Sequence, residues 1–236
     1  MVQMAVSPLP QWFEGSEYTH KVAVCVMKYG PISRITLAQI LGLSQGAVSR
    51  ITSDLIYAGV IEETPMPSGK AGKLPKGFVQ KENTERRGRP QMGLRIIKNA
   101  RSFVGMKINA THISAVAVNA IGQIITGCHD LEIEDTSPQT VVTLIKQLTI
   151  DCSDEAEMAG WPKPCAVGIS LGGYVVDNAV VTFAPFMHWS QPVELSAMVR
   201  EATGLPTGIY NDIDSLVVDA CLFGSGVGLD IFAVLT

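Results

Sequence analysis

A strongly basic segment in the first half of the chain is the feature that most limits how this sequence can fold. Residues 66–101 carry ten basic and two acidic side chains, and they are rich in proline and glycine without sustained hydrophobic periodicity. A stretch of this composition predicts no core of its own. We therefore expect three parts: a first domain at 1–65, a basic arm at 66–101 and a second domain at 102–236.

Charge is unevenly distributed among these three parts. Residues 1–65 carry four basic and five acidic groups and residues 102–236 carry four and fifteen, whereas the whole chain has a formal net charge of −4. A short cationic stretch on an otherwise acidic protein favours a polyanionic partner, and nucleic acid is the commonest one. On charge alone, a solvated and flexible linker remains the alternative.

Helical signals precede the basic arm. Apolar spacing predicts a first helix over 19–28, which ends before Gly30. A second helix is predicted to begin at Thr36, with Gln39 completing a capping box, and to run to Gly42. The short link after it is typical of two helices held at a steep angle.

A third helix is predicted over 45–58, with Ser44 as its cap and Gly59 at its end. Its three- and four-residue spacing turns four apolar side chains inward: Val48, Ile51, Leu55 and Ile56. Four polar side chains remain outward: Gln45, Ser49, Arg50 and Ser53. A short polar face with one arginine suits the reading of base edges in the major groove, although generic amphipathic helices look similar.

The basic arm follows a predicted strand at 60–63. Its lysines suit contacts to phosphates, whereas the extended RRGRP motif at 86–90 suits a narrow minor groove. The candidate DNA contacts in the arm are Lys70, Lys73, Arg86, Arg87 and Arg89.

Strands and helices are mixed beyond residue 101. The predicted strands occupy residues 103–108, 113–118, 124–127, 166–171 and 207–210. The predicted helices occupy residues 138–153, 192–202 and 214–223. This mixture is typical of an α/β architecture around a sheet.

The order of these segments resembles the ROK family (repressor, open reading frame, kinase), and specifically its regulators of sugar metabolism. The resemblance covers roughly residues 19–236. The N-terminal helices match the family pattern in KYGPISRITLAQILGLSQGAVSRITSDLIYAGVIEE. Three later stretches resemble successive parts of the family's N-terminal lobe: VGISLGGYVVDN, TFAPFMHWSQPVEL and GLPTGIYNDIDSLVVDACLFG.

The resemblance implies both a fold and a function. The fold would be α/β, with an N-terminal winged helix-turn-helix followed by an incomplete ribonuclease H-like lobe of the actin or hexokinase type. The function would be transcriptional regulation of sugar metabolism, as a repressor that binds a double-stranded DNA operator as a homodimer. A sugar or sugar-phosphate effector would bind at Gly173, Asn211 and Asp212. A simple turn at the strand end is the alternative role for Gly173.

A kinase of this family would carry a nucleotide phosphate loop close to VGIDIGGTKI at its first strand turn. This chain has VGMKINATHI, so Lys107 replaces the acidic residue while Asn109 and Ala110 replace glycines. We therefore expect no catalysis, and Asp212, which would be the kinase's general base, can instead bind a sugar hydroxyl. An active sugar kinase with an N-terminal extension and a degenerate regulator fragment remain the alternatives.

Further departures concern the ligand and the C-terminus. Phe186 stands where sugar-binding members often show asparagine, which leaves hexose specificity open. The chain ends at IFAVLT, where the family begins its second lobe, so we expect that lobe to be absent. The scattered cysteines indicate neither a zinc site nor a disulfide framework, and no cofactor is expected. The lack of a secretory signal and of a long apolar run favours a cytoplasmic protein with no membrane partner.

Overall fold

The computed structural model of the chain describes residues 15–66, 74–75, 78, 92–229 and 232–234. These residues form two compact units: residues 15–100 with 217–234, called the first unit, and residues 101–216, called the second unit. The domain boundaries expected from composition stay a prediction. No described helix combines the length and the apolar character needed to cross a bilayer.

The first unit combines short helices with a two-stranded sheet. Its elements are α1 (Glu17–Tyr29), α2 (Arg34–Leu41), α3 (Gln45–Tyr57), β1 (Ile61–Pro65) and β2 (Met92–Ile96). The two strands are antiparallel, with Ile61 opposite Ile96 and Pro65 opposite Met92. Each of the five elements contributes a side chain that is at most 1% exposed: Val22, Leu37, Val48, Ile61 and Leu94. Burial of such apolar side chains is the main stabilisation available to a unit of this size.

Three helix termini confirm local signals in the sequence. The Ser44 hydroxyl accepts a hydrogen bond from the Ala47 amide at 3.2 Å and so caps α3. Gly42 ends α2 and Gly59 follows α3, with φ angles of 64° and 68°. This left-handed conformation favours glycine because glycine has no Cβ.

The predicted start of α2 at Thr36 is wrong. The helix begins at Arg34, and its cap is Ser33. The Ser33 hydroxyl accepts a hydrogen bond from the Thr36 amide at 3.1 Å. This bond satisfies one of the free amides at the helix start, so Ser33 is the cap. Thr36 lies within the first turn and is buried.

The expectation that the basic arm forms no core is wrong at its C-terminal end. Residues 92–96 form β2, and Leu94 and Ile96 are 1% and 7% exposed. Pairing with β1 gives these apolar side chains an ordered neighbour to pack against. The sequence prediction missed β2 because the stretch is short and lies among basic residues.

The second unit contains a mixed sheet. In chain order its elements are β3 (Ser102–Ile108), β4 (His112–Asn119), β5 (His129–Glu132), α4 (Pro138–Met158), β6 (Pro164–Leu171), β7 (Tyr174–Val176), β8 (Val180–Phe183), α5 (Leu195–Thr203) and β9 (Thr207–Asn211). α6 (Asp212–Leu222) follows β9 directly and runs past residue 216. The strand order is β5-β4-β3-β6-β9 within the described residues, and β3 pairs antiparallel with β4 and parallel with β6. The expected α/β class is confirmed.

One face of this sheet carries the core of the second unit. Alternate residues of β3 and β6 are buried on it, among them Val104, Met106, Val167 and Ile169. They belong to one continuous cluster with apolar residues of α4 and α5. The two helices therefore cover this face and fix the strands beneath them.

The carboxyl ends of β3, β6 and β9 lie side by side because these strands are parallel neighbours. Lys107 of β3 is opposite Ser170 of β6, and Leu171 of β6 is opposite Asn211 of β9. In open α/β sheets, ligands bind outside the carboxyl ends of parallel strands. This edge is therefore the place to look for a ligand site.

The third strand of the meander lies later in the chain than predicted. Residues 124–127 form no strand; Ile124 contributes only an isolated bridge, and the strand begins at His129. The Ala117 amide donates to the Thr126 hydroxyl at 2.8 Å rather than to a backbone carbonyl. This side-chain contact interrupts the ladder at the predicted position.

Element bounds differ elsewhere in the second unit. α4 continues to Met158, beyond the predicted end at 153, and α5 begins at Leu195 rather than at 192. The β7–β8 hairpin and the 3-10 helix Pro185–Met187 have no counterpart in the prediction. Strands of three and four residues are too short for hydrophobic periodicity to reveal them.

Candidate functional site

The structure separates the two faces of α3 as the spacing predicts. Val48 and Leu55 are 0% and 1% exposed, Ile51 is buried with them, and Ile56 is half-buried. The four predicted base-reading residues are all exposed: Gln45, Ser49, Arg50 and Ser53. α3 therefore presents a polar strip to solvent while its apolar strip stabilises the first unit.

The side chains of this strip differ in how far they are already engaged. The Ser53 hydroxyl donates to the Ser49 carbonyl one turn earlier at 2.9 Å. Arg50 is exposed and, within the described part of the chain, takes part in no hydrogen bond or ion pair. The donors of its guanidinium group are therefore available to a partner.

Arg34 links the helix pair to the strand that follows it. Its Nε donates to the Thr52 hydroxyl of α3 at 2.9 Å, and its Nη1 donates to the Glu63 carboxylate of β1 at 2.7 Å. The planar guanidinium group thus fixes α2 against both α3 and β1. Sequence reasoning missed this residue because its partners lie 18 and 29 residues away.

Residues 66–91 of the basic arm connect the two paired strands of the first unit along the chain. Since Pro65 lies opposite Met92, the chain leaves β1 and enters β2 at the same end of the small sheet. The five arm residues predicted to contact DNA lie outside the described residues: Lys70, Lys73, Arg86, Arg87 and Arg89. Their roles stay predictions.

In the second unit, Asn211 is engaged with the protein's own backbone. Its Nδ2 donates to the Gly173 carbonyl at 2.7 Å, and its Oδ1 accepts from the Ile213 amide at 2.8 Å. These bonds position the turn after β6 beside the start of α6. One hydrogen of Nδ2 remains for a ligand.

Packing alone requires glycine at position 173. An added Cβ would lie 2.5 Å from the Phe183 carbonyl oxygen. Glycine allows the backbone to approach β8 this closely because it has no side chain. This is the turn role that the sequence left open, and direct contact with a sugar stays a prediction.

Asp212 forms an ion pair across the ends of β3 and β9. Lys107 Nζ lies 3.2 Å from Asp212 Oδ2, and the two side chains are 58% and 28% exposed. The other carboxylate oxygen, Oδ1, is buried and has no hydrogen-bond partner among the described residues. The sequence did not predict this pair because its members are 105 positions apart.

Gly172 lies beside the ion pair. The position that a Cβ would occupy lies 3.8 Å from Asp212 Oδ2 and 3.6 Å from Phe186 Cε1. A carboxylate and an aromatic edge therefore border the same small space. Together they offer a hydrogen-bond acceptor and an apolar surface, the two kinds of contact found in small-molecule sites.

The turn between β3 and β4 is closed by a side chain. Asn109 Oδ1 accepts hydrogen bonds from the Thr111 and His112 amides at 2.9 and 2.8 Å. Backbone amides of this kind are the groups that bind phosphate in a glycine-rich loop. Because Asn109 already satisfies two of them, these amides are not available to a phosphate.

Two curated relatives are similar to most of the chain. The DNA-binding transcriptional repressor Mlc of Escherichia coli is 23% identical over 203 residues, which cover 84% of this chain and 45% of the relative. The xylose repressor of Bacillus spizizenii is 23% identical over 203 residues, which cover 85% of this chain and 47% of the relative. The chain therefore spans about half the length of the curated relatives it matches.

A solved structure shares the fold. It is the crystal structure of a ROK family transcriptional regulator, a homolog of the E. coli Mlc protein, and it matches with a TM-score of 0.67 at 22% identity. The match covers 91% of this chain and 49% of that one. This chain is a homologue of ROK-family transcriptional regulators. No protein-family model matches it.

Proposed function

We propose that this ROK homologue is a DNA-binding transcriptional regulator that represses genes of sugar metabolism. The observation that carries the proposal is the exposed polar strip of α3, on which Arg50 has no partner among the described residues. An arginine in this state can donate two hydrogen bonds to a guanine in the major groove. The names of the relatives, the repressor Mlc and the xylose repressor, support the same function.

In this proposal the first unit is a winged helix-turn-helix. α2 and α3 supply the helix pair, and α3 reads bases through Gln45, Ser49, Arg50 and Ser53. β1 and β2 form the base of the wing. The part of the basic arm between them contacts phosphates and the minor groove through Lys70, Lys73, Arg86, Arg87 and Arg89. Two copies of the chain bind a pseudo-palindromic operator as a dimer.

The second unit, in the same proposal, is an N-terminal lobe of ribonuclease H-like type that binds the effector. Gly173, Asn211 and Asp212 lie at the carboxyl ends of its parallel strands and line the site. A sugar or sugar phosphate bound there changes the fraction of molecules in the DNA-competent state. The regulator acts in the cytoplasm. No phosphoryl transfer is proposed, because Asn109 occupies amides that a nucleotide phosphate would need.

A mobility-shift titration of the promoter beside its own gene, combined with sedimentation velocity, tests the proposal. We expect the full chain to sediment as a dimer and to bind the promoter roughly 10³-fold or more tightly than random DNA of equal length. No shift of any promoter fragment at low salt, with the helices folded by circular dichroism, would favour a degenerate fragment. ATP-dependent phosphorylation of a hexose by the same preparation would favour a kinase.

A further inference from the structure

A cavity of about 250 Å³ lies in the second unit, away from the carboxyl ends of the strands. Its lining comes from α4, from the end of α5, from Leu205 before β9 and from Lys163 and Pro164 at the amino end of β6. None of the candidate ligand residues Gly173, Asn211 and Asp212 lines it. Sites for drug-sized ligands measure roughly 300–1,000 Å³, so a cavity of this size suits a smaller molecule.

The cavity concentrates positive charge on an acidic part of the chain. Residues 102–236 carry four basic and fifteen acidic side chains. Two of those four basic residues, Lys146 and Lys163, line this one cavity, together with a single acidic residue, Asp154. Cations gathered in a concave site attract an anionic ligand, even where the surrounding surface is acidic.

The two lysines differ in how far they are already engaged. Lys163 Nζ lies 3.1 Å from the Glu157 carboxylate. Lys146 is exposed and forms no hydrogen bond or ion pair with any residue that the structure describes. Asp154 lies on the same helix, about 12 Å further along the axis at a rise of roughly 1.5 Å per residue. An anion therefore gains most at the end of the cavity where Lys146 lies.

Hydroxyl groups in the lining cannot replace Lys146 as donors. Those of Thr149, Ser153 and Thr203 each donate to a carbonyl one turn earlier in their own helix, at 2.7, 2.6 and 2.8 Å. Their oxygens can accept further hydrogen bonds, but their hydrogens are already used. Anion binding in this cavity therefore depends on the ammonium groups.

Apolar side chains supply another part of the lining. Ile150 is 43% exposed, whereas Ile145 and Leu148 of the same helix are fully buried against the sheet. Ala202 and Leu205 also line the cavity and are half-buried. The packing of the second unit thus leaves apolar surface open here, and a ligand with an apolar body would remove that surface from water.

We propose that this cavity binds a small organic anion with an apolar body, either a carboxylate or a phosphate ester. The charged group binds Lys146 Nζ, and the body packs against Ile150 and Leu205. The site would be a second ligand site of the second unit, and it does not depend on the DNA-binding function proposed above. A ligand that lacks either the charge or the apolar body satisfies only half of the lining.

Isothermal titration of the full chain with five probes tests this assignment. Hexanoate and hexyl phosphate carry both features, 1-hexanol carries only the apolar body, and acetate and inorganic phosphate carry only the charge. We expect hexanoate, hexyl phosphate or both to bind about tenfold or more tightly than 1-hexanol and than the matching small anion. The comparison of hexanoate with hexyl phosphate shows which anionic group the site takes.

Two variants separate the contributions of charge and apolar contact. Lys146→Met keeps the aliphatic stem and should reduce the affinity for the hexyl anion to that for 1-hexanol. Ile150→Ala should weaken hexyl anions and 1-hexanol alike, because it removes contact with the body but keeps the charge. Both side chains are exposed, so we expect circular dichroism to show an unchanged fold. The matched control is Lys98→Met, which removes an exposed lysine from the first unit and should change no affinity.

Four results would overturn the assignment. They are no binding of any probe, equal affinity for 1-hexanol and the hexyl anions, equal affinity for the small anions and the hexyl anions, and an anion preference that survives Lys146→Met. A loss of binding in Lys98→Met as large as in Lys146→Met would also overturn it, because the effect would then come from the net charge of the chain.

Discussion

Asn211 Nδ2 donates to the Gly173 carbonyl oxygen at 2.7 Å, which joins the turn after β6 to the residue that precedes α6. The same turn approaches β8 so closely that a methyl group at position 173 would lie 2.5 Å from the Phe183 carbonyl oxygen. The candidate ligand residues are therefore held in place by backbone contacts before any ligand binds. Preorganisation of this kind lowers the cost of ordering the site on binding.

Replacing Gly173 with alanine should destabilise the second unit by roughly 1–3 kcal/mol, because the new Cβ must displace backbone rather than a flexible side chain. Urea unfolding followed by circular dichroism measures the change. The matched control is Gly168→Ala in β6, where an added Cβ meets nothing within 4 Å. Equal losses for the two variants would contradict the packing role of Gly173.

Replacing Arg50 with alanine should cost about 1–3 kcal/mol of operator binding and leave binding to random DNA unchanged, because its donors would be directed at a base edge. Mobility-shift titrations on both DNAs measure the two affinities. Arg200→Ala removes an exposed arginine from α5 in the other unit and should change neither. Equal losses on operator and random DNA would refute the base-reading role of Arg50.

Replacing Lys70 or Lys73 with alanine should weaken binding to all DNA sequences similarly, because phosphate contacts carry no sequence information. Each change should also reduce the slope of log affinity against log salt by about one. Titrations at several salt concentrations measure that slope. A loss confined to the operator would instead place the lysine at a base edge.

Replacing Arg34 with alanine should destabilise the first unit by roughly 1–2 kcal/mol, because it removes charge-assisted hydrogen bonds to Thr52 and Glu63. Lys21→Ala is the control, since it removes an exposed pair with Glu17 and a contact with the Tyr18 ring, both within α1, and should cost much less stability. Thermal unfolding of the full chain compares the two variants. If Lys21→Ala lowered the thermal stability as much as Arg34→Ala, the hydrogen bonds of Arg34 would not be a specific source of stability.

Acid should weaken the contact between α4 and the segment before β5. The Gly127 amide at 2.9 Å and then His129 Nε2 at 2.7 Å hold the pKa of the Glu155 carboxyl below its usual 4.5. Because the pKa of Glu155 is lower in the folded state than in the unfolded state, its charge stabilises the fold above about pH 4.5. This stability is lost as the pH falls through the pKa of the folded state. Melting temperatures between pH 7 and pH 3 should therefore fall more steeply for the wild type than for Glu155→Gln.

The control for this pH dependence is Glu157→Gln on the same helix, which removes an exposed carboxylate paired with Lys163. Its melting temperature should follow the wild-type dependence on pH. If Glu155→Gln retained the acid sensitivity of the wild type, the carboxyl of Glu155 would not be its source.

Helix ends and helix faces could be predicted because their signals act within one turn of the chain. Ser44 caps α3, and Gly59 is needed where the backbone turns left-handed. At α2 two hydroxyls compete, and Ser33 rather than Thr36 is the cap because its oxygen accepts from the amide of Thr36, the third residue of the helix. The local sequence therefore indicates two candidate caps for α2 but does not decide between them.

The pairs that build the candidate sites could not be predicted from local patterns. Lys107 meets Asp212 only because β3, β6 and β9 are neighbours in register. β2 exists because β1 pairs with it, and residues 92–96 alone are too short and too close to positive charges to indicate a strand. Sheet order and register are tertiary properties, so the residues can be named from sequence while their partners cannot.

The closed turn between β3 and β4 makes a phosphate loop hard to create here through single mutations. Exchanging Lys107 for an acidic residue would leave Asn109 bound to the Thr111 and His112 amides, so no phosphate could use them. Exchanging Asn109 first would remove the turn's internal acceptor while Lys107 still neutralised Asp212. Neither single change creates a nucleotide site, so both would have to be present before this turn could bind a phosphate.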